Sequence, residues 1–216
     1  MDEHAALLDE ISHEMRVTAQ WTGRSALSTR VASALGKVRR GAFVPDDLGW
    51  AAYQNRPLPI GCGQTISQPY IVALMTEILD LQPTDKVLEV GTGSGYQAAV
   101  LAELVPTVYS IEAIAELSQR AGTALASEGY LNVVRRVGNG ALGWPDEAPF
   151  DAIIVTAAAE SIPPALLQQL GAGGRMIIPV GPHRGDQKLI LITKDDAGEI
   201  TQHDLLHVAF VPLTGG

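Results

Sequence analysis

The sequence holds one cysteine in 216 residues, so no internal disulfide can form and no paired-thiol metal motif is possible. Aromatic residues make up only 5% of it, and any sizeable core must therefore be built from Val, Ile, Leu and Ala rather than from rings. Positive charge is also scarce. With 15 Lys and Arg against 24 Asp and Glu, the formal net charge is −9, which excludes the broad basic surface that draws nucleic acid or anionic lipid. Apolar runs such as 152–159 stop well short of the ~18 residues that a membrane span needs. The opening MDEHAALLDEISHEM lacks the basic start and apolar core of a secretion signal. These absences predict a cytoplasmic protein with neither nucleic acid nor membrane as partner, and no metal.

What is present is enough apolar residue, 46% of the chain, to bury one substantial core, and the length suits a single domain. Leu7, Leu8, Ile11 and Met15, and again Leu27, Val31, Leu35 and Val38, fall at helical spacing and predict two amphipathic helices ahead of Gly41. Residues 45–69 carry Pro45, Pro57, Pro59, Gly61, Gly63 and Pro69 and read as one long irregular stretch of the kind that holds function. Pro69 suits the first turn of a helix through Leu81. After Pro83, apolar strands at 86–90, 108–111, 133–137, 152–156 and 176–180 alternate with helices near 96–105, 113–127 and 163–170, which predicts a doubly wound, mostly parallel α/β sheet. A strand at 188–193, a turn at 195–198 and a strand near 208–213 predict an antiparallel addition at the sheet edge. Residues 1–82 thus read as helices and a substrate loop, and 83–216 as a cofactor-binding sheet, within one domain.

The strand KVLEV runs directly into Gly91, Thr92, Gly93, Ser94 and Gly95 and then into a helix. In a doubly wound sheet the first strand-to-helix turn receives a nucleotide-like ligand, because glycine lets the backbone approach closely. The dinucleotide fingerprint requires a glycine where this chain has Tyr96, and the phosphate loop requires Lys then Ser or Thr where it has Tyr96 and Gln97. A serine-hydrolase elbow fails as well, since Thr92 and Tyr96 flank Ser94 where glycines belong. What remains is G-x-G-x-G with Glu89 two residues before it and Glu112 at the end of the next strand. Glu112 can accept hydrogen bonds from both hydroxyls of a ribose. Glu89, read as a carboxylate, repels a pyrophosphate and attracts an ammonium and a sulfonium. The ligand predicted is S-adenosylmethionine; the alternative is a tight turn with two solvated acids.

Six segments then become recognisable: 40–45 (RGAFVP), 59–69 (PIGCGQTISQP), 89–96 (EVGTGSGY), 150–158 (FDAIIVTAA), 173–181 (GGRMIIPVG) and 210–213 (FVPL). Together they resemble the protein-L-isoaspartate O-methyltransferase family, over nearly the whole chain from Arg40 onward. The resemblance implies a class I methyltransferase fold, a seven-stranded sheet with an N-terminal helical cap. It also implies methyl transfer from S-adenosylmethionine to the free carboxylate of L-isoaspartyl residues in damaged proteins or peptides, S-adenosylhomocysteine as the second product, and a monomer acting alone. The family's active-site serine falls on Ser67. Its cofactor contacts fall on Gln64, Thr65 and Ile66, on the Gly91–Gly95 loop, and on Glu112, Asn139, Gly140 and Thr214.

The chemistry suits such a site. A carboxylate with an ordinary pKa near 3.5 to 4 is already ionised at neutral pH, so alignment and desolvation matter more than a general base. Ser67 is then a positioner, its alternative role being an N-cap for the helix at Pro69. The chain departs from the family at Asn139, where an Asp is usual; this predicts weaker cofactor binding. Two other activities stay open: methylation of an aspartate in a dedicated peptide, and a cofactor-binding paralogue without catalysis. Cys62 reads as a bystander thiol, His203 and His207 as strand residues, Trp144 as structural, and Trp50 and Tyr53 either as flanks for a peptide or as packing.

Overall fold

The computed structural model describes residues 3–214. Helices α1 (Glu3–Thr22) and α2 (Thr29–Lys37) lead the chain. The buried residues Leu7, Ile11 and Met15 of α1 form one stripe, as the i, i+4 spacing dictates. Ser28 caps α2, its hydroxyl accepting from the Val31 N–H. The stretch 45–69 is more ordered than its prolines suggest. It holds a short helical turn (Asp46–Ala51) and an antiparallel hairpin of β1 (Leu58–Gly61) and β2 (Gln64–Ile66). The chain reverses at Cys62 and Gly63, both with positive φ.

Helix α3 (Pro69–Leu79) is buried almost all round, between the two leading helices and the sheet. The sheet follows, with β3 (Lys86–Val90), α4 (Tyr96–Ala102), β4 (Thr107–Glu112), α5 (Ala115–Ser127), β5 (Val133–Val137), β6 (Phe150–Val155), α6 (Pro164–Gln169), β7 (Leu170–Val180), β8 (Gln187–Lys194) and β9 (Ile200–Val208). Its order is β5-β4-β3-β6-β7-β8-β9. The first five strands run parallel, while β8 is antiparallel to β7 and β9 to β8. The mostly parallel, seven-stranded sheet of the class I methyltransferase type is therefore what the chain forms, closed at one edge by an antiparallel pair.

Two boundaries depart from the expectation. The last strand is 200–208, not 208–213; it is largely exposed, and its apolar residues do not alternate as a strand's would. The apolar segment at 210–213 instead crosses the end of the sheet as an extended strap. There Ala158 N–H donates to Val211 O and Leu213 N–H to Ala158 O, both at 2.8 Å. Strand β7 begins at Leu170 rather than near 176, because its glycine-rich start pairs with β6 through an irregular register.

Chain order reverses between β3 and β6, which lie side by side although two strands separate them in sequence. In open α/β sheets a crevice for ligands opens at the carboxyl ends of the strands at such a point. One hydrophobic cluster extends from Leu7 through the helices to Ile154 and Leu189, so the N-terminal helices and the sheet share a core.

Candidate active site

A cleft lies at that switch point. Its walls come from the carboxyl ends of four parallel strands: Val90 and the loop after β3, Ile111 to Ala113 after β4, Gly140 after β5, and Thr156 and Ala157 after β6. The β2 segment from Gln64 to Ser67 and the strap from Val211 to Thr214 complete it. No lysine or arginine is among the lining residues, so the cleft offers no side-chain cation for a phosphate.

Close approach governs the floor. Gly91 has φ +99°, and a Cβ there would stand 2.4 Å from Thr156 Oγ1. That hydroxyl donates to Gly91 O at 2.6 Å and also to Val90 O. Thr156 is a site residue that sequence reasoning left without a role; its signals were its place at the carboxyl end of a central strand and within the segment 150–158.

Glu112 is nearly buried and held from two sides. Gly93 N–H donates to Oε2 at 2.7 Å and Ile114 N–H to Oε1 at 3.0 Å. Each carboxylate oxygen keeps a further lone pair. The pair of vacant acceptor positions fits the two vicinal hydroxyls of a ribose.

Glu89 occupies a different environment from the one its sequence position suggested. It is 0% exposed and does not line the cleft. Because β3 is the central strand of a sheet covered on both faces, an acid on it is desolvated whichever way it points. Burial pushes its carboxyl up to about 8, opposed by the hydrogen bond from Ser110 and assisted by the nearby Glu112 charge. At neutral pH the group is mostly protonated in the free protein, so it does not act there as a fixed anion attracting a sulfonium. The Ser110 hydroxyl donates to Oε2, while Oε1 has no partner among the described residues. The hydroxyls of Ser110 and Thr92 lie 2.5 Å apart, which connects the buried acid to a residue of the cleft wall.

Ser67 and Thr65 line the cleft and also a second groove on its far side, bounded by Pro57, Ile71 and the segment from His207 to Val211. Thr156 and Val211 likewise face both. The two spaces thus share a wall. The N-cap of α3 is Gln68, with no side-chain capping bond; Tyr70 N–H instead donates to Asn55 Oδ1 at 3.0 Å. The capping role for Ser67 is therefore taken by Asn55, and among the described residues the Ser67 hydroxyl has no hydrogen-bond partner.

Of the residues singled out from sequence, the structure brings Gln64, Thr65, Ile66, Ser67, Gly91, Thr92, Gly93, Ser94, Glu112, Gly140 and Thr214 to one cleft. Gly95, the N-cap of α4, and Asn139 stay outside its wall. Asn139 Oδ1 accepts from Ala141 N–H at 2.9 Å and caps the short turn Gly140–Leu142. Trp50 is 68% exposed beside Arg56, and neither it nor Tyr53 reaches the groove.

Comparison with known proteins agrees with this geometry. The chain is 56% identical to protein-L-isoaspartate O-methyltransferase 2 of a Polaromonas species over 97% of its own length and 99% of the relative's. It is 52% identical to the protein of the same name from Nitrosococcus oceani, over 100% of this chain and 98% of that one. Among solved structures, one described as a protein-L-isoaspartate O-methyltransferase from Plasmodium falciparum, in complex with S-adenosyl-L-homocysteine, superposes with a TM-score of 0.83 at 25% identity, each chain fully covered. The model of the protein-L-isoaspartate(D-aspartate) O-methyltransferase family matches residues 13–216, and the chain belongs to that family.

Proposed function

We propose that this protein methylates the free carboxylate of L-isoaspartyl residues in damaged proteins and peptides, using S-adenosylmethionine, and so starts repair through a succinimide. One observation carries the reading: the unpartnered Ser67 hydroxyl stands on the wall between a ribose-compatible cleft and an open groove. The cleft residues would hold S-adenosylmethionine, which would supply a methyl group whose bond to sulfur leaves its electron pair on sulfur when the carboxylate oxygen takes the carbon.

The chain's own residues hold and aim. Glu112 would receive the ribose hydroxyls on the lone pairs its backbone donors leave open, and the glycine loop lets the backbone come close. Ser67 donates to the acceptor carboxylate from the groove side, and exclusion of water by the strap at 211–214 strengthens that bond. No side chain needs to remove a proton, because the acceptor arrives ionised. We further propose a cytoplasmic monomer, supported by the net charge of −9 and the single cysteine. Among the described residues, no helix is long and apolar enough to cross a membrane.

Ser67→Ala tests the assignment. Loss of one orienting bond to a charged acceptor costs about 1.5–3 kcal/mol, roughly tenfold to a hundredfold in kcat, with affinity for S-adenosylhomocysteine retained. An unchanged rate removes Ser67 from the mechanism.

A further inference from the structure

Arg40 opens the short helical turn Arg40–Phe43 and is the bulkiest fully buried side chain among the described residues. A buried cation ordinarily has an anion beside it. Here no carboxylate pairs with it among those residues. Its guanidinium donates to main-chain carbonyls alone: Nη1 to Ala52 O, and Nη2 to Arg56 O at 3.2 Å and Ser67 O at 3.1 Å. Among the described residues, no backbone N–H donates to any of these three oxygens.

Three separate pieces of chain therefore meet on one side chain. Ala52 closes the second helical turn, Arg56 lies in the loop before β1, and Ser67 joins β2 to α3. A methionine or leucine would fill the same space at no electrostatic cost but would leave three carbonyls orphaned. The planar fork of arginine fixes the mutual positions of its acceptors in a way a point-like ammonium does not. Burial lowers its pKa to about 10, so the guanidinium is still charged at neutral pH.

The other face of Arg40 looks toward the ring of Tyr96, on the glycine-loop side of the cleft. Its Cζ stands 5.8 Å from the centre of the Tyr96 ring. Tyr96 is the first residue of α4, directly after the glycine loop, and it lines the cleft. One side chain thus spans from the carbonyl of the acceptor-side serine to the first turn of the cofactor-side helix.

We propose that Arg40 is a positioning residue for methyl transfer: it locks the segment carrying Ser67 at a set distance from the glycine loop, and so aligns acceptor and methyl donor without touching either. The proposal rests on the placing of the acceptor at Ser67 argued above. Rate is sensitive to such alignment, a displacement of about 1 Å costing on the order of a hundredfold.

The test uses the full chain with Arg40→Met and Arg40→Lys. Both are assayed for kcat and KM with an isoaspartyl peptide, for S-adenosylhomocysteine affinity by calorimetry, and for thermal midpoint. At a temperature where it is fully folded, Arg40→Met should lose about tenfold to a hundredfold in kcat, while cofactor affinity changes by less than about threefold, because most of the cleft wall does not depend on Arg40. Arg40→Lys, keeping the charge and the donors of one nitrogen but not the planar fork, should recover part of that rate. Adding Ser67→Ala to Arg40→Met should cost little more, since both act on one alignment. Should kcat in both Arg40 variants stay within twofold of the unsubstituted protein, or fall only in step with cofactor affinity, the assignment is overturned. If Arg40→Met does not fold, Arg40→Lys decides by the same comparison. A full rate in Ser67→Ala beside a slow Arg40→Met would refute the role of the hydroxyl and leave Arg40 assigned to the loop backbone.

Discussion

Glu112→Gln perturbs the cleft with almost no change of shape. In the native protein both carboxylate oxygens already accept a backbone N–H, from Gly93 and from Ile114. A carboxamide has one oxygen and one NH2 group. Whichever way it turns, the NH2 meets one of those backbone donors and can accept neither it nor a ribose hydroxyl. On the ligand side one charge-assisted bond disappears, worth about 2 kcal/mol, which is roughly a thirtyfold rise in dissociation constant. The remaining bond becomes neutral and weaker, and one backbone N–H loses its partner, so the glycine loop loosens as well. Titration calorimetry with S-adenosylhomocysteine should therefore show a loss of about thirtyfold to several hundredfold. Repeating the titration with an analogue lacking both ribose hydroxyls separates the two contributions. That analogue should bind the native protein much more weakly than S-adenosylhomocysteine does, and the difference should shrink on the variant. A change within threefold, or equal losses with the analogue on both proteins, would refute the ribose assignment.

Three further substitutions test the ground beneath the cleft, one of them a control away from it. The Glu89 carboxyl titrates near 8 when folded, above the 4.5 of an ordinary glutamate, so the native state holds a proton that the unfolded state releases between those values. Its stabilising share is complete below pH 4.5 and is lost as pH rises through 8. Urea unfolding at pH 5, 7 and 9 should show Glu89→Gln gaining on the unsubstituted protein by a few kcal/mol toward pH 9; parallel pH profiles would contradict the burial argument. Gly91→Ala and Gly129→Ala both place a side chain at positive φ, but only the first meets an atom, Thr156 Oγ1, while Gly129 has nothing within 4 Å. Gly129→Ala should cost about 1 kcal/mol of backbone strain, and Gly91→Ala at least twice that together with cofactor affinity. Equal costs would mean that the approach to Thr156 carries no weight.

The parallel half of the fold was legible because its signals are local. KVLEV, the glycine loop and the helix at Tyr96 lie consecutively, and an alternating strand–helix rhythm leaves few topologies open. Strand β9 was hidden because an exposed edge strand such as ITQHDLLHV buries little and so needs no apolar alternation. The hairpin β1–β2 was masked by Pro59 and the Gly-Cys-Gly turn. Ser67 and its neighbours were assigned through the resemblance, whereas Arg40 and Thr156, although inside the recognised segments 40–45 and 150–158, received no role, since what they do depends on contacts with distant segments. Glu89 is instructive in another way. Its spacing from the loop was read as a charge facing a ligand, although a central parallel strand buries both faces and the same position argues for a neutral acid.

The central claim is that the groove beside Ser67 presents an isoaspartyl carboxylate to the methyl donor. Its most direct test is methyl transfer to two peptides of one sequence, identical except that the chain passes through the side-chain carbonyl of a single aspartate in one and through its main-chain carbonyl in the other. With labelled S-adenosylmethionine, the isoaspartyl peptide should yield a base-labile ester that releases labelled methanol, and its aspartyl isomer should stay at background. Equal labelling of both isomers, or labelling of the aspartyl form alone, would contradict the account.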